Sequence, residues 1–167
     1  MLDLLINSND FNSGAVITAN TLLKIINVIK DKDYLDFIKE TNGGFFYNYS
    51  LQFYAVETPL KYHNIFLINQ YIHEAYGKFL GKELFFAQDV FGNQFGFSDM
   101  GIIFFNMETG ERQVIAEGFN KWIDVLNRDL DYFTGRKLVE DWNMSNTAIK
   151  PNERFHPKKP FVIGGEF

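Results

Sequence analysis

Five carboxylates fall at or near the turn signals of one stretch of this chain: Asp89, Asp99, Glu108, Glu111 and Glu117. Two carboxyl groups held roughly 5–10 Å apart in a cleft can divide acid and base roles between them, as in glycoside hydrolysis. Turns, however, favour Asp and Asn because these side chains hydrogen-bond local backbone. On that reading the five shape turns and leave an acidic fringe along the loops, suited to a basic partner. The three histidines, His63, His73 and His156, are far apart and make no metal spacing such as HExxH. His73 and Glu74 are helical neighbours and point to different faces. No GxSxG elbow, GxxxxGK[ST] loop or GxGxxG loop occurs. The sequence therefore offers no catalytic residue, no metal ligand and no cofactor cradle.

The elements that carry these residues can be read from periodicity. Residues 84–116 hold four short aromatic or β-branched runs. Three turn signals cut them: Asp89-Val-Phe-Gly-Asn93, Ser98-Asp-Met-Gly101 and Met107-Glu-Thr-Gly110. This pattern predicts an antiparallel meander. Within it, Gly92-Asn93 can supply positive φ while Phe91 and Phe95 pack around a hairpin whose tip is open to contact. Upstream, Leu22, Ile25, Ile26 and Ile29 recur at helical spacing, with Thr18 or Asn20 as cap. Tyr34, Phe37 and Ile38 mark a second helix begun by Asp31 or Asp33 and ended by Asn42-Gly43-Gly44. Phe45, Tyr47, Tyr49, Leu51, Phe53 and Ala55 alternate with more polar residues, which predicts one strand. Ile65, Ile68, Ile72 and Tyr76 predict a helix stopped near Gly77.

Beyond the meander, Phe119, Trp122, Ile123, Leu126 and Leu130 form a strong helical stripe, and Thr134 can cap a last helix through Leu138, Val139 and Trp142. Both tryptophans then sit on apolar faces. Residues 150–159 are basic and punctuated by proline, and lead into Pro160-Phe-Val-Ile163, a strand or docked extension. The fold class expected is α+β: an antiparallel sheet flanked by N- and C-terminal helices in one domain of residues 1–167, with 1–17 as a peripheral extension.

Composition narrows the function classes. With 19 Phe and 8 Tyr, a large aromatic core is available. The absence of cysteine excludes disulfides and thiolate metal sites, which fits a reducing compartment. The start MLDLLINSNDF lacks a basic region followed by an apolar run, and no apolar run reaches the ~18 residues that span a bilayer. A cytoplasmic protein is expected, without membrane contact. A net charge of −5 disfavours nucleic acid, whose binding needs clustered Lys and Arg.

The order of several motifs resembles the SUKH superfamily, which includes the yeast Smi/Knr-type regulators of cell-wall synthesis. The motifs are Thr41-Asn-Gly-Gly44, LFFAQDVFGNQF at 84–95, FNMETG at 105–110, FNKW at 119–122, LDYFTG at 130–135 and PFVIGGEF at 160–167. The closing Gly164-Gly-Glu-Phe167 lacks one acidic residue of the diguanylate cyclase signature, and that comparison is set aside. The resemblance implies a non-enzymatic α+β binding domain. In the bacterial branch it implies an immunity protein that neutralises a toxin encoded nearby. A regulatory or scaffold role in cell-wall or signalling assemblies is the alternative, and a carboxylate-dependent hydrolase a third. The expected partner-binding residues are Phe91 and Asn93, Asp99, Glu108 and Glu111; oligomeric state is not legible.

Overall fold

The computed structural model describes residues 5–6, 8–11 and 15–165. Among these, seven strands form one sheet in sequential order, every neighbouring pair antiparallel. They are β1 (Asn9–Phe11), β2 (Gly44–Phe46), β3 (Leu51–Phe53), β4 (Leu84–Asp89), β5 (Gln94–Ser98), β6 (Gly101–Phe105) and β7 (Arg112–Ala116). The last four are the meander expected from the turn signals. Helices α1 (Ala19–Val28) and α2 (Lys32–Thr41) lie between β1 and β2, and α3 (Ile65–Tyr76) between β3 and β4. Helices α4 (Phe119–Arg128), α5 (Leu130–Thr134) and α6 (Arg136–Ser145) follow the sheet. The α+β class is thus the observed one. No helix among the described residues is long and apolar enough to cross a membrane.

Helix ends follow local chemistry. Thr18 accepts from the Thr21 amide to start α1. Asp31 serves two helices at once: Oδ1 accepts from Tyr34 N at 3.1 Å in α2, and Oδ2 from Phe119 N at 2.8 Å at the head of α4. A carboxylate there satisfies orphan amides and complements both helix dipoles. Thr134 accepts from Arg136 N at the start of α6.

Three sequence expectations need correction. The alternating run 45–55 is two strands, because Tyr47, Asn48 and Tyr49 all adopt positive φ and fold the chain back as a hairpin. Asn tolerates that region; the turn is also held by Tyr49 N donating to Asp10 Oδ2 and Ser50 N to Tyr47 O. The stripe through Leu130 is two helices, broken at Asp129, whose side chain caps α5. Of the two readings of Pro160–Ile163, the strand is corrected and the docked extension holds: Phe161–Ile163 form a 3-10 turn docked through Val162 N on Glu108 Oε1. Glu166 and Phe167, which close the PFVIGGEF motif, lie outside the described residues, as do 1–4, 7 and 12–14 of the N-terminal stretch.

Side chains on a strand alternate between faces, so register assigns them. Phe53, Ala87, Phe95 and Phe104 are paired across β3 to β6 and lie on the face that meets α2, α4 and α5. Trp122 is fully buried there, stacked on Phe119 at 5.5 Å and edge-on to Phe53, Phe86 and Phe95. Such ring contacts contribute beyond simple area burial. Trp142, by contrast, is 44% exposed, so only one of the two tryptophans is core. The opposite face carries Phe45, Gln52, Gln88, Gln94 and Phe105 in one register row. Helix α3 covers part of it through Tyr76 against Phe105, and the C-terminal tail covers another part through Arg154 over Phe45.

Candidate functional site

Successive hairpin turns of a meander alternate between its two ends. The β4–β5 and β6–β7 turns therefore meet at one end of the sheet, where α3, α5, α6 and the tail converge around a groove of about 1080 Å³. Its floor is polar and its walls largely apolar.

The floor is a directed chain of side-chain hydrogen bonds. Arg154 has only donors, so the oxygen of Gln52 must face its Nη2. That oxygen also accepts from Gln88 Nε2 at 2.7 Å. Gln88 Oε1 then accepts from Gln94 Nε2 at 3.2 Å, which also donates to Gly92 O. Gln94 Oε1 accepts from the Tyr54 hydroxyl at 2.7 Å. Each amide orientation is thereby fixed by its neighbour. Burial pushes the Tyr54 phenol up, and burial pulls Arg154 down against the influence of Tyr54 and Asp89.

The walls come from three sources. Ile68, Ile72 and Tyr76 of α3 form one side, tied to the β6–β7 loop by Tyr76 Oη donating to Met107 O at 2.8 Å. The two turns form the end. Tyr132, Lys137 and Leu138 of α5 and α6, with Phe155, Pro157 and Pro160 of the tail, complete the far side. Gly135 makes this corner possible. Its φ is +69°, and an added Cβ would sit 2.7 Å from Phe91 Cε2 and 2.8 Å from Val90 Cγ1. Only glycine accepts both the conformation and the approach.

Three of the five expected partner-binding residues, Phe91, Asn93 and Glu108, line this groove. Phe91 is half-buried against Gly135. Asn93 is committed on both sides, its Nδ2 donating to Asp89 Oδ2 at 2.8 Å and its Oδ1 accepting from Met107 N. Glu108 is exposed but holds Val162 N. Glu111 is exposed on the same loop, outside the lining. Asp99 is exposed at the β5–β6 turn, the other end of the sheet, about 17 Å away for a five-residue strand. The glutamine row, Tyr54, Leu138 and the tail were missed; the row reads in sequence as the solvent side of alternating strands.

The acids near the groove are each engaged. Asp89 accepts from Phe91 N and Asn93 N, both at 2.8 Å, and burial pushes its carboxyl up to about 6 against those bonds. Asp131 pairs with Arg136 at 3.0 Å and Asp141 with Lys137 at 2.7 Å. Among the described residues, no three His, Asp or Glu side chains gather where they could share a metal ion. What the groove offers is apolar contact beside a hydrogen-bonded polar floor.

A family model for SMI1 / KNR4 (SUKH-1) matches residues 27–125, more than half of the chain. The chain belongs to the SMI1 / KNR4 family (SUKH-1). No curated protein and no solved structure gives a match. The SMI1 / KNR4 stretch runs from the end of α1 into α4 and so supplies strands β2 to β7, the floor glutamines and the α3 wall. The far wall, from Asp131 to Pro160, lies beyond it.

Proposed function

We propose that this protein is a non-enzymatic binding module that acts in the cytoplasm as an immunity protein, neutralising a toxin encoded beside its gene by receiving part of it in the groove. The observation that carries this reading is the groove itself: a preformed, mainly apolar concavity in a SUKH-family sheet, lined by Phe91, Asn93 and Glu108. Exposed Tyr132 and Leu138 on its far wall are the kind of anchors that concentrate binding energy. An interface of ordinary size, ~1,600 Å² in total, would extend from the groove over the neighbouring loops. The net charge of −5 would speed encounter with a basic toxin. Because the far wall lies outside the family-matched stretch, it is the natural seat of partner choice.

The test is co-expression with each toxin gene of the same locus, followed by purification of the complex. Rescue of growth together with a stoichiometric complex supports immunity. Unchanged killing, with capture of a cell-wall or signalling protein in the groove instead, would transfer the reading to a regulatory module.

A further inference from the structure

Where the C-terminal tail crosses the sheet, three nitrogen atoms are sealed from solvent and find no hydrogen-bond partner among the described residues: Arg154 Nε, Gln52 Nε2 and His63 Nδ1. All three belong to side chains that neighbour one ring, Phe45. Arg154 Cζ lies 5.7 Å from the Phe45 centroid, and the His63 ring 5.5 Å from it. Gln52 is the cross-strand neighbour of Phe45 and binds Arg154 through its oxygen. The identity of Gln52 Nε2 is secure, because two donors converge on the other atom of that amide. Gln52 is only 2% exposed.

Among the described residues the guanidinium donates to neutral oxygens: Pro151 O at 3.2 Å, Glu153 O at 2.6 Å and Gln52 Oε1. Asp89 acts on it from a distance, its own oxygens being occupied by the β4–β5 turn. A buried cation without a contacting anion is costly, and so is each buried donor left unpaired.

We propose that Arg154, Gln52 and His63 hold one small monovalent anion, a halide or a formate-sized carboxylate, between the sheet and the C-terminal tail. Arg154 Nε and Gln52 Nε2 donate to it, and His63 donates through Nδ1 in the corresponding tautomer. The anion neutralises the cation that pins the tail, and the tail is one wall of the groove. The site stands whether or not the groove takes a toxin.

The test compares the full chain in sodium bromide, sodium chloride, sodium formate and sodium isethionate at constant ionic strength, isethionate being too bulky to enter. The expected result is a melting temperature that climbs by about 3–5 °C per tenfold increase of halide or formate above its dissociation constant, relative to isethionate. Halide-only protection identifies an inorganic ion; equal protection by formate identifies a carboxylate site. Gln52→Glu places a carboxylate oxygen where the anion binds. It is expected to abolish the response while keeping the fold, as is Arg154→Met, which preserves contact with Phe45. Bromide anomalous diffraction should give a peak among the three nitrogens. An ordered water there, with melting temperatures that do not distinguish the anions, overturns the proposal.

Discussion

Asn42 ties three parts of the chain together, and its replacement has a cost that can be worked out bond by bond. It ends α2 in the left-handed region with φ +46° and is 5% exposed. Its Oδ1 accepts from Val56 N at 3.0 Å and Glu57 N at 3.1 Å; its Nδ2 donates to Glu57 O at 2.7 Å and to Ala15 O. In Asn42→Ala the two carbonyls stay satisfied, since Ala15 is exposed and Glu57 O keeps its bond from Ala15 N. The two amides do not. Val56 is buried, and losing both acceptor contacts costs about 2–4 kcal/mol. Alanine in the left-handed region adds about 1 kcal/mol. The sum, about 3–5 kcal/mol, lowers the melting temperature by roughly 6–20 °C for a chain of this size. Asn42→Gly removes the conformational part and should recover about 1 kcal/mol. Urea unfolding of the three proteins decides it. A loss under 1 kcal/mol in Asn42→Ala, or glycine no better than alanine, would refute the reasoning.

Two further substitutions probe the groove's frame. The Asp89 carboxyl titrates near 6 in the fold against an ordinary 3.8, so the protonated form favours folding. Its contribution is present below about pH 4 and is lost as pH rises through 6, amounting to about 3 kcal/mol. The stability difference between wild type and Asp89→Asn should therefore change by about that much between pH 3.5 and pH 7.5 in denaturant titrations; parallel curves would contradict the burial assigned to Asp89. Gly135→Ala must strain φ and push Val90 and Phe91 aside, costing about 2–4 kcal/mol by thermal melts, whereas a change under 0.5 kcal/mol would mean that the corner yields freely.

The fold was legible where the chain obeys local rules. Three turn signals delimited β4 to β7, and of the paired cap candidates the structure uses Thr18 rather than Asn20 for α1 and Asp31 rather than Asp33 for α2, which ends at Asn42. The SUKH resemblance drawn from motif order is matched by the family assignment of residues 27–125. Period-two alternation failed at Tyr47-Asn-Tyr49, because a tight left-handed turn preserves the same parity of aromatic residues that a straight strand would show. The groove was half legible. Phe91, Asn93 and Glu108, expected from the turns, line the groove, while Asp99 lies at the other end of the sheet because the second turn of a meander faces that end. Gln52, Gln88 and Gln94 escaped notice since polar residues alternating with Phe read as a solvent face. Their cover, a basic tail 60 or so residues downstream of Gln94, is a tertiary fact that no local pattern carries.

The claim that the groove is the binding surface is tested most directly by calorimetric titration of a toxin from the same locus into wild type, Leu138→Arg and Asp99→Arg. Leu138 is 48% exposed on the groove wall and Asp99 is exposed at the opposite end, so neither change disturbs the core. A buried charge at a central anchor costs at least about 2.7 kcal/mol, so Leu138→Arg should weaken binding 100-fold or more and Asp99→Arg less than threefold. Undiminished affinity in Leu138→Arg, with binding lost in Asp99→Arg, would contradict the account.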